Sequence, residues 1–442
     1  MRTLRKKVID IMKFSIHTLG CKVNQYESEV VAEAFVKKGY ERASNGEKCD
    51  ICFINTCAVT EESVRKSLQI IRRAKRLNPD AIIISAGCAS QSEDHRIRFE
   101  EICDITVGNK NKPNIPELID EYISKKKKIS SFVKIGEEKE FEQMTAYTGE
   151  RTRATLKVQD GCNNFCSYCI IPYVRGRIRS KDFNEAVSEM RFLSEKSGYK
   201  EIVLTGIHLD NYGKDIGGVT LMDLLEAAED IPSLERIRLS SLEPIFITEE
   251  NVERMKKLTK ICHHFHLSLQ SGCDETLKRM NRHYTTADYE KCVKLLRDAF
   301  EDTAITTDII VGFPGETEDE FAKTMEFAQK IGFMKIHIFP FSERQGTVAA
   351  KMEGKISAEI KNKRVHLLNE VAVKTRAEFL KNTVGKEVSV LFETNKAGKL
   401  HGYTPNYVEV VTNGPECLCN KTAKVRITSS DADFVYGEII DF

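Results

Sequence analysis

Three short apolar runs near the amino terminus, 14–20, 51–56 and 81–87, each stop directly before a cysteine: Cys21, Cys57 and Cys88. Helical segments separate the runs, and this alternation up to residue 123 predicts a parallel α/β domain. In open parallel sheets, ligands gather in the crevice beyond the carboxyl ends of the strands, so the three thiols are expected to converge there. The competing reading makes each a small residue in a tight turn. Cys49, Cys52 and Cys103 lie in or beside apolar runs and read as core thiols.

A second trio is more compact. Gly161-Cys162-Asn163-Asn164-Phe165-Cys166-Ser167-Tyr168-Cys169 has the spacing Cys-x-x-x-Cys-x-x-Cys, with no fourth ligand nearby. Structural zinc takes four protein ligands, whereas three thiolates can hold three irons of a [4Fe-4S] cube and leave the fourth open to a small molecule. A degraded zinc knuckle or three unrelated thiols is the alternative.

With 442 residues the chain has room for two or three domains. It contains no apolar run of roughly 18 residues and no secretory h-region, so a cytoplasmic location without a membrane anchor is expected. In that reducing compartment the 14 cysteines are not expected to form disulfides. A net charge of +1 excludes a global field drawing the chain to nucleic acid, so any RNA site is local. Residues 1–11 read as a basic extension before an alternative start at Met12.

The charged stretch 124–150 reads as a linker. Beyond it, strands at 154–159, 201–206, 235–240, 264–269, 304–310 and 333–339 alternate with helices, predicting a partial (β/α)6 barrel over 151–357. The cysteine loop follows the first of these strands, at the same mouth as the other strand ends. A basic connecting helix follows at 358–382. Five short strands within 383–442 then fit a small OB-like β-barrel, a common oligonucleotide binder.

The aromatic residue before Cys169 and the order of these parts resemble the radical S-adenosylmethionine (SAM) methylthiotransferases over about residues 12–442. The resemblance is carried by Thr18-Leu19-Gly20-Cys21-Lys22-Val23-Asn24-Gln25-Tyr26-Glu27-Ser28, Ile54-Asn55-Thr56-Cys57, Arg-Leu-Ser-Ser-Leu-Glu-Pro at 238–244, and Phe-Pro-Phe-Ser-Glu-Arg-Gln-Gly-Thr-Val-Ala-Ala at 339–350. Gly-Cys-Lys-Val-Asn-Gln-Tyr-Glu resembles the bacterial enzymes that modify N6-threonylcarbamoyladenosine in tRNA. Relatives acting on isopentenyladenosine favour Gly-Cys-Gln-Met-Asn, and those acting on a ribosomal-protein aspartate favour Gly-Cys-Pro-Lys-Asn.

The resemblance implies two [4Fe-4S] clusters, SAM, a tRNA substrate, a reductant and a TRAM-type RNA-binding barrel at the carboxyl end. Cys162, Cys166 and Cys169 would hold the SAM-chelating cluster, and Cys21, Cys57 and Cys88 an auxiliary cluster that carries the sulfur to be transferred. Tyr168, Thr205, Gly206, Ser241, Glu243, Ser268 and Gln270 would contact SAM. Arg282 and Arg344 are candidates for the threonyl carboxylate of the substrate. A different class of function, a non-catalytic iron-sulfur protein that binds RNA or senses redox state, is disfavoured by the open position on each trio.

Two basic groups could meet tRNA phosphates: Arg175, Arg177, Arg179 and Lys181, and Arg65, Lys66, Arg72, Arg73, Lys75 and Arg76. From Lys386 onward eight acidic residues outnumber six basic ones, so the last barrel is not itself a basic patch. His208, His263, His264 and His266 are assigned no role, and the last three, around a strand, read as packed or hydrogen-bonded histidines. Cys262, Cys273, Cys292, Cys417 and Cys419 read as structural.

Overall fold

The computed structural model describes residues 11–44, 46–146, 149 and 151–442. Of the basic extension only Ile11 falls among them, so that expectation lies outside the described residues. The chain divides into two compact units, and 142–146 and 173–176 belong with the first.

The first unit runs β1 (Lys13–Thr18), α1 (Lys22–Lys37), β2 (Glu41–Arg42), β3 (Ile51–Thr56), α2 (Glu61–Leu77), β4 (Ile82–Gly87), α3 (Cys88–Gln91), α4 (Glu93–Ile102), β5 (Ile105–Val107), α5 (Ile115–Lys125) and β6 (Ile129–Ser131). All six strands pair in parallel in the order β2-β1-β3-β4-β5-β6. β3 and β4 are buried along their whole length, as central strands of a sheet covered on both faces must be. Phe14, Val31, Phe35, Phe53, Ile84, Ile105 and Ile119 belong to the core. On α2, capped by the Thr60 side chain, Val64, Leu68, Ile71 and Ala74 face inward and all six basic residues face solvent.

The stretch 124–150 departs from its reading as a linker. It supplies β6, and the Tyr26 hydroxyl donates to the Met144 carbonyl at 2.8 Å, tying buried Met144 to the first unit. A strand of three residues is too short to show a period of two against a charged background.

The second unit contains β7 (Ala154–Lys157), β8 (Gln159–Asp160), α6 (Ile171–Arg175, whose end packs with the first unit), β9 (Arg179–Ser180), α7 (Phe183–Glu195), β10 (Glu201–Thr205), α8 (Leu221–Glu229), β11 (Arg236–Leu239), α9 (Glu249–Met255), β12 (His264–His266), α10 (Asp274–Arg279), α11 (Thr286–Ala299), β13 (Ala304–Val311), α12 (Glu318–Ile331) and β14 (Lys335–Pro340). Two parallel sheets, β11-β10-β7 and β12-β13-β14, are joined by bridges from Ile237 to Ile261 and from Leu242 to Leu267. The six strands thus form the expected open barrel, because β7 and β14 do not pair among the described residues.

Helix α13 (Ala358–Lys381) leads to a closed barrel of β15 (Glu387–Lys396), β16 (Lys399–Tyr403), β17 (Glu409–Asn413), β18 (Thr422–Ser430) and β19 (Val435–Asp441), as the OB-like reading expected. Not every cation of α13 reaches water: Arg364 is buried and paired with Glu316 and Glu318. The closed barrel is anchored to β11, where Arg236 donates to the Tyr403 and Ser389 carbonyls and Arg238 to those of Pro405 and Thr404. Burial works against the charge of Glu201 beneath them, but Arg238, Arg153 and Arg236 hold its carboxyl below the usual range.

Candidate functional site

Cys21 is the N-cap residue of α1, Cys57 follows β3, and Cys88 opens α3 directly after β4. β1, β3 and β4 are neighbours, so the thiols converge at the carboxyl ends of three adjacent strands. Backbone sterics shape the approach. Gly87 has φ +102°, and a Cβ there would lie 2.5 Å from Asn55 Oδ1; at Gly20, φ +97°, it would lie 3.0 Å from Cys57 Sγ. Cys57 and Cys88 are buried and Cys21 is exposed. Burial, with Cys88 and Cys21 adding to it, pushes the Cys57 thiol up to about 12.

A buried charge network lies against this trio. Arg175 Nε is 3.2 Å from Cys88 Sγ, Nη2 is 2.6 Å from Asn24 Oδ1, and Nη1 is 2.9 Å from Glu27 Oε1. Lys112 Nζ lies 3.0 Å from the other Glu27 oxygen and donates to the Asn109 carbonyl. Asn24 also clamps two strand ends, donating to the Leu19 and Thr56 carbonyls. Among the described residues, two buried cations around one carboxylate leave a net positive charge beside the thiols. That charge matches a four-iron core bound by three thiolates, which carries one net negative charge.

Arg175 therefore does not meet phosphate. Arg179 is buried 3.7 Å from Asp160, and Lys181 is buried against Glu189. Of the four, Arg177 is exposed, with its guanidinium 4.5 Å from the centre of the Phe165 ring.

The second trio sits on the loop between β8 and β9, whose short antiparallel pairing closes its base. Phe165 has φ +48°, and Cys169 N donates to the Cys166 carbonyl at 2.9 Å. The turn after α10 props the loop: Ser167 donates through N to Met280 and through Oγ to Arg279, and Asn281 donates to the Asn164 and Phe165 carbonyls. Burial, then Cys166, pushes the Cys169 thiol up to about 12.

Several predicted residues meet here. The Arg282 side chain is only 4% exposed, with Nη1 3.3 Å from Cys166 Sγ, Nη2 on Glu243, and Nε 3.0 Å from the Tyr284 hydroxyl. Tyr284 in turn donates to the Ser268 carbonyl at 2.6 Å. The Arg282 guanidinium thus already faces a carboxylate and a cysteine sulfur. Tyr168 packs edge-on to Phe313, with ring centroids 6.5 Å apart. Thr205 is buried and its carbonyl accepts from Val158, while a Cβ at Gly206 would lie 2.8 Å from Gln159 Oε1. Gln159 donates to the Gly161 carbonyl at 2.7 Å, linking Thr205-Gly206 to the cysteine loop. Ser241 is exposed; Gln270 has φ +67° and its backbone N donates to Asp308; Arg344 is buried, its carbonyl accepting from Thr347.

Sequence reading passed over His208, which lies 3.4 Å from Cys162 Sγ. Burial opposes its charge, but Asp210 and Cys162 raise it to about 10. It also missed Asn24, Glu27, Lys112 and Asn109. The signal for the first two was available, since Asn24 and Glu27 lie three residues apart on the buried face of α1.

Donor chemistry separates a cluster from a single ion. Zinc bound to thiolates at 2.3 Å requires sulfurs about 3.8 Å apart. Among the described residues, the group whose ligand atoms all lie within 4.8 Å of one another includes none of these six cysteines. Neither trio is drawn together as one tetrahedral ion would require.

Comparison with known proteins agrees with this arrangement. The model of the radical SAM superfamily matches residues 156–328, and that of the uncharacterized protein family UPF0004 matches residues 13–108. The chain is 39% identical over 434 residues to the threonylcarbamoyladenosine tRNA methylthiotransferase MtaB of Bacillus subtilis, covering 96% of each. It is 40% identical to the protein of that name in Thermotoga maritima, covering 96% of this chain and 98% of the relative. A tRNA-2-methylthio-N(6)-dimethylallyladenosine synthase of Thermoanaerobacter is 35% identical, covering 97% and 93%. Among solved structures, the radical SAM methyltransferase TsrM from Kitasatospora setae superposes with TM-score 0.51 at 15% identity, over 75% of each chain.

Proposed function

Because the chain belongs to the tRNA methylthiotransferases of the radical SAM superfamily, we propose that it transfers a methylthio group to C2 of N6-threonylcarbamoyladenosine, 3′ of the anticodon in tRNA. The observation that carries the substrate is the higher identity, 39–40%, to relatives named for that nucleoside than to those named for dimethylallyladenosine, at 35–36%.

In this reading Cys162, Cys166 and Cys169 bind the cluster that chelates SAM, and Cys21, Cys57 and Cys88 bind the auxiliary cluster. When bound, the first supplies one-electron cleavage of SAM and the second supplies the transferred sulfur. Arg282, fixed by Glu243 and Tyr284, orients Cys166 and offsets negative charge on the sulfurs. Tyr168 on the cysteine loop, with Thr205, Gly206 and Ser268, makes the SAM contacts in this reading. The exposed cations of α2 are a phosphate-binding surface. No helix among the described residues is long and apolar enough to cross a membrane, and a tRNA substrate assigns the enzyme to the cytoplasm, where a reductant must supply electrons.

Division of labour between the trios gives the test. Cys57→Ala should retain reductive cleavage of SAM to 5′-deoxyadenosine while forming no methylthio product on tRNA bearing threonylcarbamoyladenosine. Both products are read by mass spectrometry. Loss of cleavage in a variant whose Cys162 trio is fully loaded would contradict it.

A further inference from the structure

Among the described residues, one group of metal-binding side chains lies outside the two cysteine trios. In the second unit, His266 at the end of β12, Asp308 in β13 and His337 in β14 bring their ligand atoms within 4.8 Å of one another. The strands are neighbours in one parallel sheet, with Asp308 directly beside His337 and His266 beside Thr306, two residues before Asp308 on the same face. Along β13, Ile305, Thr307 and Ile309 are completely buried, whereas the Asp308 side chain is 31% exposed. The trio therefore lies on the less covered face of the sheet.

His266 has the hydrogen-bonding pattern of a ligand. Its Nδ1 is 3.0 Å from Thr306 Oγ1, which also lies 3.1 Å from His264 Nε2. Its Nε2 is buried, makes no hydrogen bond, and points at Asp308 Oδ2 3.4 Å away. One ring nitrogen held by a neighbour, with the other aimed at a second donor, is how proteins orient a metal-bound imidazole.

We propose that His266, Asp308 and His337 form a binding site for one divalent transition-metal ion, separate from both cysteine trios. Two imidazoles and one carboxylate suit zinc, iron(II) or manganese, and three protein ligands leave coordination positions open to an oxygen donor. The alternative is a plain ion pair between protonated His266 and Asp308, which binds no metal.

Cluster-loaded full-length protein dialysed against excess zinc, with zinc and iron counted by elemental mass spectrometry, separates the two. One zinc per chain is expected with iron unchanged, and His337→Ala or Asp308→Asn should each weaken zinc binding by more than about tenfold at equal iron content. The two variants are independent, so one that folds and keeps its iron suffices. Absence of bound zinc in the wild type, or equal zinc in wild type and a folded variant, overturns the proposal.

Discussion

Replacing Cys162, Cys166 and Cys169 together by alanine should halve the iron of anaerobically reconstituted protein, from about eight to about four per chain, and abolish reductive cleavage of SAM. The size of the effect follows from the separation of the ligand sets. The first trio is built on β1, β3 and β4 with the Arg175 network behind it, and the second hangs on the loop between β8 and β9. Iron per chain and 5′-deoxyadenosine release are the two readouts. A triple variant that keeps all its iron, or a wild type that holds zinc in place of iron, contradicts the assignment.

Arg175→Met should destabilise the first unit by about 3–5 kcal/mol, because it takes a charged partner from the fully buried Glu27 carboxylate. That is a large share of the roughly 5–15 kcal/mol that holds a domain folded. The substitution also removes the donor 3.2 Å from Cys88 Sγ, so the auxiliary cluster should form less completely. Arg177→Met is the matched control, since Arg177 is exposed over Phe165 and its loss should cost about 1 kcal/mol or less. Unfolding of the metal-free variants, and iron content in the background lacking the Cys162 trio, measure both effects. Equal behaviour of the two variants would mean that the Arg175 network is not what supports the Cys88 side of the site.

The contrast between these arginines shows where sequence reading stops. Arg175, Arg177, Arg179 and Lys181 alternate along the chain like a solvated basic strip, yet three are buried against Glu27, Asp160 and Glu189. Nothing local marks a buried cation, because its partner comes from another element of the fold. Cys21, Cys57 and Cys88 were legible because each stands at a strand end, and strand ends follow from apolar runs that tertiary structure does not override. The six barrel strands were legible for the same reason. β6 was not, since three residues carry too little pattern. Arg282 stands near the mouth in sequence, and the structure adds what spacing cannot give, its contacts with Glu243 and Cys166.

Substrate identity is tested most directly by the nucleosides of digested tRNA from cells with and without the gene, in a strain lacking related enzymes. A pocket that hydrogen-bonds the carbamoyl and threonyl groups leaves buried polar atoms unpaired when an apolar isopentenyl group enters, so discrimination should be strong. Deletion should remove 2-methylthio-N6-threonylcarbamoyladenosine and let its threonylcarbamoyl precursor accumulate, and reintroducing the gene should restore the product without any methylthio-isopentenyladenosine. Persistence of the threonylcarbamoyl product after deletion, or appearance of the isopentenyl product on reintroduction, would contradict the assignment.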